Sequence, residues 1–171
     1  MKKYYIILLL LTINAVFSQN SDCFDIARKG NLYDIKVLFE NDKCVVNAID
    51  DNGSSMLILA CYRGNQEVAK FLIENQANLN YVSKNGTALM ACVFKGELQL
   101  VDEMLKKNVN LDLTDENGIT ALILAVQIKN VEMVKKLLSA NANKELKCKQ
   151  NKTAFEYAVF SNNEEIINLL K

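Results

Sequence analysis

Five cysteines are the most reactive side chains in the sequence: Cys23, Cys44, Cys61, Cys92 and Cys148. None forms a Cys-x-x-Cys pair, so neither a zinc ribbon nor a thioredoxin-type dithiol is indicated. The chain has no histidine. That removes the usual general base, the Ser-His and Cys-His nucleophile pairs and the commonest metal ligand. Carboxylates gather at Asp50-Asp51 and Asp115-Glu116 and could pose as paired acids or calcium ligands. No EF-hand spacing surrounds them, and they read as solvated turn acids. Asn-Gly pairs at 52–53, 85–86 and 117–118 could be pieces of a nucleotide loop, but no glycine-rich phosphate motif accompanies them and they read as turns. With acid/base machinery missing, the chain reads as a non-enzyme that needs no metal and no cofactor.

The elements that would have to position any of these residues repeat along the chain. The stretch DENGITALILAVQIKNVEMVKKLLSANAN, residues 115–143, opens with the Asn117-Gly118 turn signal. Thr120 starts a helix with Leu122, Ala125 and Val126 on one face. A polar break at Lys129-Asn130 leads into a second helix, with Val134, Leu137 and Leu138 in one stripe, closed by Asn141-Ala142-Asn143. Helices of about ten residues are not stable alone in water, so the unit must stack on copies of itself. Thr120 has counterparts at Ser55, Thr87 and Thr153, at intervals of 32, 33 and 33 residues, and a weaker first copy starts at Ser21.

These copies resemble the ankyrin repeat, which has a period of about 33 residues and a T-P-L-H-x-A core. The resemblance covers residues 21–171. It implies an all-α repeat fold, an ankyrin-type solenoid of about five helix-turn-helix repeats joined by β-turns or short hairpins. Their approximate bounds are 21–47, 48–80, 81–112, 113–145 and 146–171, within a domain spanning 19–171 with no linker. The sequence departs from the pattern at the proline, replaced by Met56, Ala88, Ala121 and Ala154. It departs again at the histidine, replaced by Ile58, Met90, Ile123 and Glu156. Apolar packing is expected to substitute for the family's inter-repeat hydrogen bonds. Gln76, Asn108 and Asn141 stand where a glycine ends the second helix; Asn tolerates the left-handed conformation needed there better than Gln does.

Residues 1–18 lie outside the repeats. Lys2 and Lys3 precede a mostly apolar run of 12 residues, Ile6–Phe17, and Val16 and Ser18 satisfy the small-residue rule for cleavage before Gln19. The segment reads as a secretory signal peptide, since a membrane span needs about 20 apolar residues. The mature chain of 153 residues would be exported, periplasmic or extracellular. It would carry 18 basic against 20 acidic side chains, a balance of −2. That argues against nucleic acid or an anionic membrane as the partner. A protein partner and a monomeric state are expected, with no stable membrane span after cleavage. Without histidine, stability should also be flat between about pH 6 and 8.

The repeat alignment then places the candidate residues. Phe24, Ile26, Ala27, Ile35, Leu38 and Phe39 are expected to face inward in the first repeat, with Asp25, Arg28, Lys29, Tyr33 and Lys36 keeping its outer side soluble. Leu57, Ala60, Cys61, Leu72, Ile73, Leu89, Cys92, Val101, Met104 and Leu105 should be core. Asn163, Glu164, Glu165, Asn168 and Lys171 should cap the far end. Cys148 aligns with Asp115 at a turn and is expected to be an exposed, reactive thiol. Cys23 opens the first helix of the first repeat and Cys44 aligns with Ala77 and Ala142. The two are assigned as a disulfide, with a pair of thiols as the alternative.

The resemblance implies that the concave face binds a partner protein. It assigns this role to the two positions that end each first helix: Arg28-Lys29, Tyr62-Arg63, Phe94-Lys95, Gln127-Ile128 and Phe160-Ser161. Tyr62, Phe94 and Phe160 would form a broken aromatic ladder along a groove, or alternatively each ring would lie on its neighbouring helix. An inhibitor or immunity-type protein acting on a toxin or enzyme in the same compartment would use the same face.

Overall fold

The computed structural model describes residues 23–171; the signal-peptide reading of residues 1–18 lies outside them. The helices are α1 (residues 23–29), α2 (Leu32–Glu40), α3 (Met56–Arg63), α4 (Gln66–Glu74) and α5 (Ala88–Lys95). They continue as α6 (Leu98–Lys106), α7 (Ala121–Gln127), α8 (Val131–Ser139), α9 (Ala154–Phe160) and α10 (Glu164–Leu170). Among the described residues there is no extended strand. Isolated antiparallel bridges, Ile49–Ser55, Ser83–Gly86 and Thr114–Thr120, pin the turns between repeats. The chain divides into two compact units, one ending at Ala77 and the other running Asn78–Lys171. Such division needs no linker, because a repeat buries surface only against its near neighbours.

Local chemistry starts each helix pair. Ser55, Thr87, Thr120 and Thr153 cap the first helices, their hydroxyls accepting from the amides of Ile58, Met90, Ile123 and Glu156 at 3.2–3.3 Å. Glu156 reaches back to the Thr153 amide at 2.6 Å and completes a capping box, the arrangement that satisfies two orphan amides at once. That amide bond, reinforced by the Thr153 hydroxyl, holds the Glu156 carboxyl below its usual range.

The helix ends explain the missing glycines. Gln76, Asn108 and Asn141 have φ of 64°, 54° and 65°, a left-handed state that costs an L-residue about 1–2 kcal/mol. The next residue offsets it in each case. Ala77, Val109 and Ala142 each send an amide back to the carbonyl five residues earlier, of Leu72, Met104 and Leu137, and each is only 7% exposed. This is the bonding and apolar contact of a Schellman end. Lys43 makes the same bond, to Leu38. Lys43, and not Cys44, therefore occupies the alanine slot. The alignment is off by one because the first two repeats are 34 residues apart, Gly30 to Gly64.

In the first unit α2 and α3 pack on α4, burying Ile35, Leu57, Leu72 and Ile73. Phe39 meets Phe71 edge-on at 5.2 Å. Phe39, Ile26 and Leu38 are only half-buried, short of the full burial expected, as they lie in the first repeat. In the second unit α5, α7 and α9 pack side by side, each paired with the helix that follows it. Met90 and Ile123, at the family's histidine position, are buried there at 4% and 1% exposure, with Met104, Met133 and Leu137. Leu105 is half-buried because it lines an open groove with Leu111 and Ala140. Among the described residues no helix is long and apolar enough to cross a membrane.

Candidate functional site

Each first helix ends on the residues singled out by the repeat alignment, and most of them face solvent. Phe94 is 52% exposed and Phe160 85%, while Ile128 is 37% exposed. Lys95 and Gln127 are exposed beside them. Because α5, α7 and α9 pack in that order, Phe94, Gln127 and Phe160 fall in one row of the second unit. The first unit carries Lys29, Tyr62 and Arg63 at the same helix ends, all exposed, with the Arg63 guanidinium 5.9 Å from the centre of the Tyr62 ring.

Arg28 corrects one expectation. It is half-buried and bonded to Asp25 at 3.3 Å and to Asp50 at 2.5 Å. The Asp50 side chain is only 7% exposed, and its other oxygen accepts from the amides of Asn52 and Ser54. Asp50 is thus the buried hub of its turn, not a solvated acid, and Arg28 neutralises it. Asp115 holds the equivalent turn by accepting from the amides of Asn117 and Ile119, both at 2.8 Å.

Around Phe160 the surface is built from residues that sequence reasoning did not single out. The Lys152 ammonium lies 5.4 Å from the Phe160 ring and 5.6 Å from that of Tyr157. The Tyr157 hydroxyl bonds Gln150 at 3.3 Å and is also reached by Gln127, tying the end of α7 to α9. The available signal was Tyr157 itself, the one aromatic at a position held by Leu59, Ala91 and Leu124 elsewhere.

Cys148 is the second correction. It is 5% exposed, not an open thiol, because Tyr157 covers it with its hydroxyl 3.4 Å from the sulfur. Backbone at Gly118 packs against the same turn, where an added Cβ would stand 3.2 Å from the Cys148 Cα. Burial pushes the Cys148 thiol up, but the Tyr157 hydroxyl and the backbone around the turn together outweigh it and hold the thiol below its ordinary value. The same contact pushes the Tyr157 hydroxyl up.

A thiol depressed in the folded state loses its proton before the unfolded chain does. Its stabilisation is present above the unfolded value and is lost as pH falls through the folded one. The flat region expected from the missing histidine should therefore end where stability begins to rise with pH towards the ordinary thiol value of about 8.5, and stability should fall again beyond the ordinary tyrosine value of about 10. Denaturant midpoints across this range test the profile. Tyr157→Phe should shrink the rise and abolish the fall near about 10, and an unchanged profile in that variant would sink the assignment.

What the arrangement offers is contact surface. Among the described residues no group of three or more Cys, Asp or Glu side chains is placed to hold a metal ion. Against known families, the model described as ankyrin repeats (3 copies) matches residues 23–115 and 89–171. The chain belongs to the ankyrin repeat family. It is 30% identical over 111 residues to the ankyrin repeat and SAM domain-containing protein 6 of Rattus norvegicus, covering 64% of this chain and 12% of that protein. It is 28% identical over 112 residues to a putative ankyrin repeat protein of Borreliella burgdorferi, covering 65% and 51%. The "DNA replication inhibitor plutonium" of Drosophila melanogaster is 35% identical over 85 residues, 48% of each chain. The chain thus spans about half or less of these relatives. Ankyrin repeats are general protein–protein interaction modules.

Proposed function

We propose that this ankyrin repeat protein is an exported, non-enzymatic binding module. It takes a protein partner on the exposed ends of its first helices. The observation that carries this reading is the recurrence of large exposed side chains at one offset in three adjacent helices: Phe94, then Gln127-Ile128, then Phe160. Lys95 and Lys152 flank the rings. Single exposed apolar residues are ordinary on a protein surface, whereas a contiguous patch calls for a partner. Aromatic side chains dominate interface energetics. The export half of the reading is supported by the basic and apolar pattern of residues 1–18, and a Cys23–Cys44 bond would suit an oxidising compartment.

The test is capture of the partner from extract of the secreting compartment, followed by Phe94→Ala with Phe160→Ala. Loss of two ring contacts should weaken capture by at least about thirtyfold, since even one hot-spot truncation is worth about 2 kcal/mol or more. The circular dichroism melt should barely move. If the double variant unfolds, the rings are core; if it melts normally and still captures the partner, the helix ends are not the site.

A further inference from the structure

Three turns set glycine directly after asparagine, at 52–53, 85–86 and 117–118. The pair is chemically weak. Asparagine is among the thermolabile residues, and glycine has no side chain to shield its own amide nitrogen. That nitrogen can attack the side-chain carbonyl carbon of the asparagine. A bond from the nitrogen to Cγ forms, the Cγ–Nδ2 bond breaks, and the departing amide takes the attacking nitrogen's proton and leaves as ammonia. Water then opens the cyclic imide. Opening at one carbonyl gives aspartate. Opening at the other gives isoaspartate, whose main chain runs through the side-chain carbon and is longer by a methylene.

Closing the imide requires the asparagine carbonyl and the glycine after it to swing out of the turn. In all three turns the glycine amide donates to the carbonyl three residues before, of Asp50, Ser83 and Asp115, at 2.9–3.1 Å, so that bond does not separate them. The surroundings do. Gly86 is buried, its carbonyl holds the Ser83 hydroxyl at 2.8 Å, and a Cβ added to it would stand 2.6 Å from the Met90 sulfur. The next turn crowds Gly118, where an added Cβ would lie 3.1 Å from the Lys149 nitrogen. The Asn117 carbonyl also accepts the Lys149 amide at 2.8 Å, so it cannot swing without parting the two turns. Around Gly53 a Cβ would meet nothing within 4 Å, and Asn52 is exposed.

We infer that Asn52 is a site of spontaneous deamidation in the folded protein, and that the turns around Asn85 and Asn117 protect those residues from it. The change falls inside a closed set of bonds. The Ser54 amide donates to the Asp50 carboxylate at 2.8 Å and the Asp50 amide to the Ser54 carbonyl at 2.9 Å, with the Ile49–Ser55 bridge just outside them. Isoaspartate inserts its methylene between these anchors, so the Asp50 carboxylate loses its fit to the turn. Both products also add a negative charge beside Asp50 and Asp51. Asp50 is the carboxylate that Arg28 neutralises, and the damage therefore reaches the end of α1. This inference does not rest on the helix ends proposed to hold a protein partner.

The test is peptide mapping by mass spectrometry of the purified full chain, held in mildly alkaline buffer well below its melting temperature and sampled over time. Asn52 should convert several-fold faster than Asn85 or Asn117. In concentrated urea the three should convert at similar rates, because each is then a plain Asn-Gly pair and the protection of the folded turns is gone. Asn52→Gln should remove the first acidic species that the folded chain forms. Aged protein should show a lower urea midpoint than fresh protein. Asn52→Asp, which adds the charge without the methylene, should move the midpoint less. If Asn85 or Asn117 keeps pace with Asn52 in the folded chain, or Asn52 stays intact while the chain in urea reacts, the inference is overturned. A preference for Asn52 that persists unchanged in urea overturns it too, since the fold then has no part in the choice. An aged midpoint equal to the fresh one overturns the stated effect on the turn.

Discussion

Asn65→Ala is expected to lower the stability of the first unit by about 2–3 kcal/mol, the sum of a lost helix cap and an orphaned carbonyl. One small side chain does two jobs. Its oxygen caps α4 by facing the Val68 amide at 3.5 Å. Its nitrogen reaches into the preceding repeat, 2.8 Å from the Gly30 carbonyl and 3.3 Å from that of Ile26. The Ile26 carbonyl also accepts from the Gly30 amide, so the Gly30 carbonyl, just beyond the last turn of α1, is the one that loses its partner when Asn65 is removed. Asn65 therefore joins the start of one helix pair to the end of the helix before it.

Asn65→Asp separates the two jobs. The carboxylate keeps an acceptor for the cap but loses the donor and sets negative charge against carbonyl oxygens. It should be at least as damaging as alanine, although aspartate is an excellent cap on an isolated helix. Urea midpoints for the two variants decide the matter. If Asn65→Asp matches the parent, the bonds to the preceding repeat contribute nothing and the loss belongs to the cap alone.

The same slot holds Asn31, Asn130 and Asn163, with Glu97 as the exception. Asn31, Asn130 and Asn163 each cap the helix that follows. This regularity was open to inspection in the sequence, where Lys129-Asn130 reads merely as a polar break. The helix starts at Ser55, Thr87, Thr120 and Thr153 were legible because capping depends on neighbours three residues away. The buried stripes were legible because helical period alone sorts them. Long-range relations were not. Nothing local says that Arg28 crosses to Asp50, or that Tyr157 folds over Cys148, since both depend on how neighbouring turns and helices meet. The left-handed Gln76 shows the converse. Its own preference disfavours the conformation, and the Ala77 amide and side chain hold it there. The helix-end row of Phe94, Gln127 and Phe160 followed from repeat spacing, but its lysine came from Lys152 in the turn before α9.

Opening the Cys23–Cys44 pair is expected to cost about 3 kcal/mol, the chain-entropy value for a loop of this size. The structure brings the two residues together with Cα atoms 6.0 Å apart across a sequence separation of 21, within the span a disulfide bridges. A bond there ties the start of α1 to the segment just beyond α2. The Lys43 amide on Leu38 fixes the same segment locally, and the Cys23 sulfur lies 3.4 Å from the Lys43 carbonyl. The first repeat also holds several half-buried apolar residues where other repeats hold buried ones, so it has less packing to lose before it frays. Reductant, or the Cys23→Ser with Cys44→Ser variant, should therefore lower the denaturation midpoint. Loss of amide protection should concentrate in α1 and α2. Cys61, Cys92 and Cys148 are buried and form no disulfide, so among the described residues reductant has no second disulfide to open. Non-reducing peptide mapping of protein recovered from an oxidising compartment should return Cys23 and Cys44 on one joined fragment. Alkylation of Cys23 without reductant, or identical midpoints with and without it, would show that the pair stands as two thiols and that packing alone holds the first repeat.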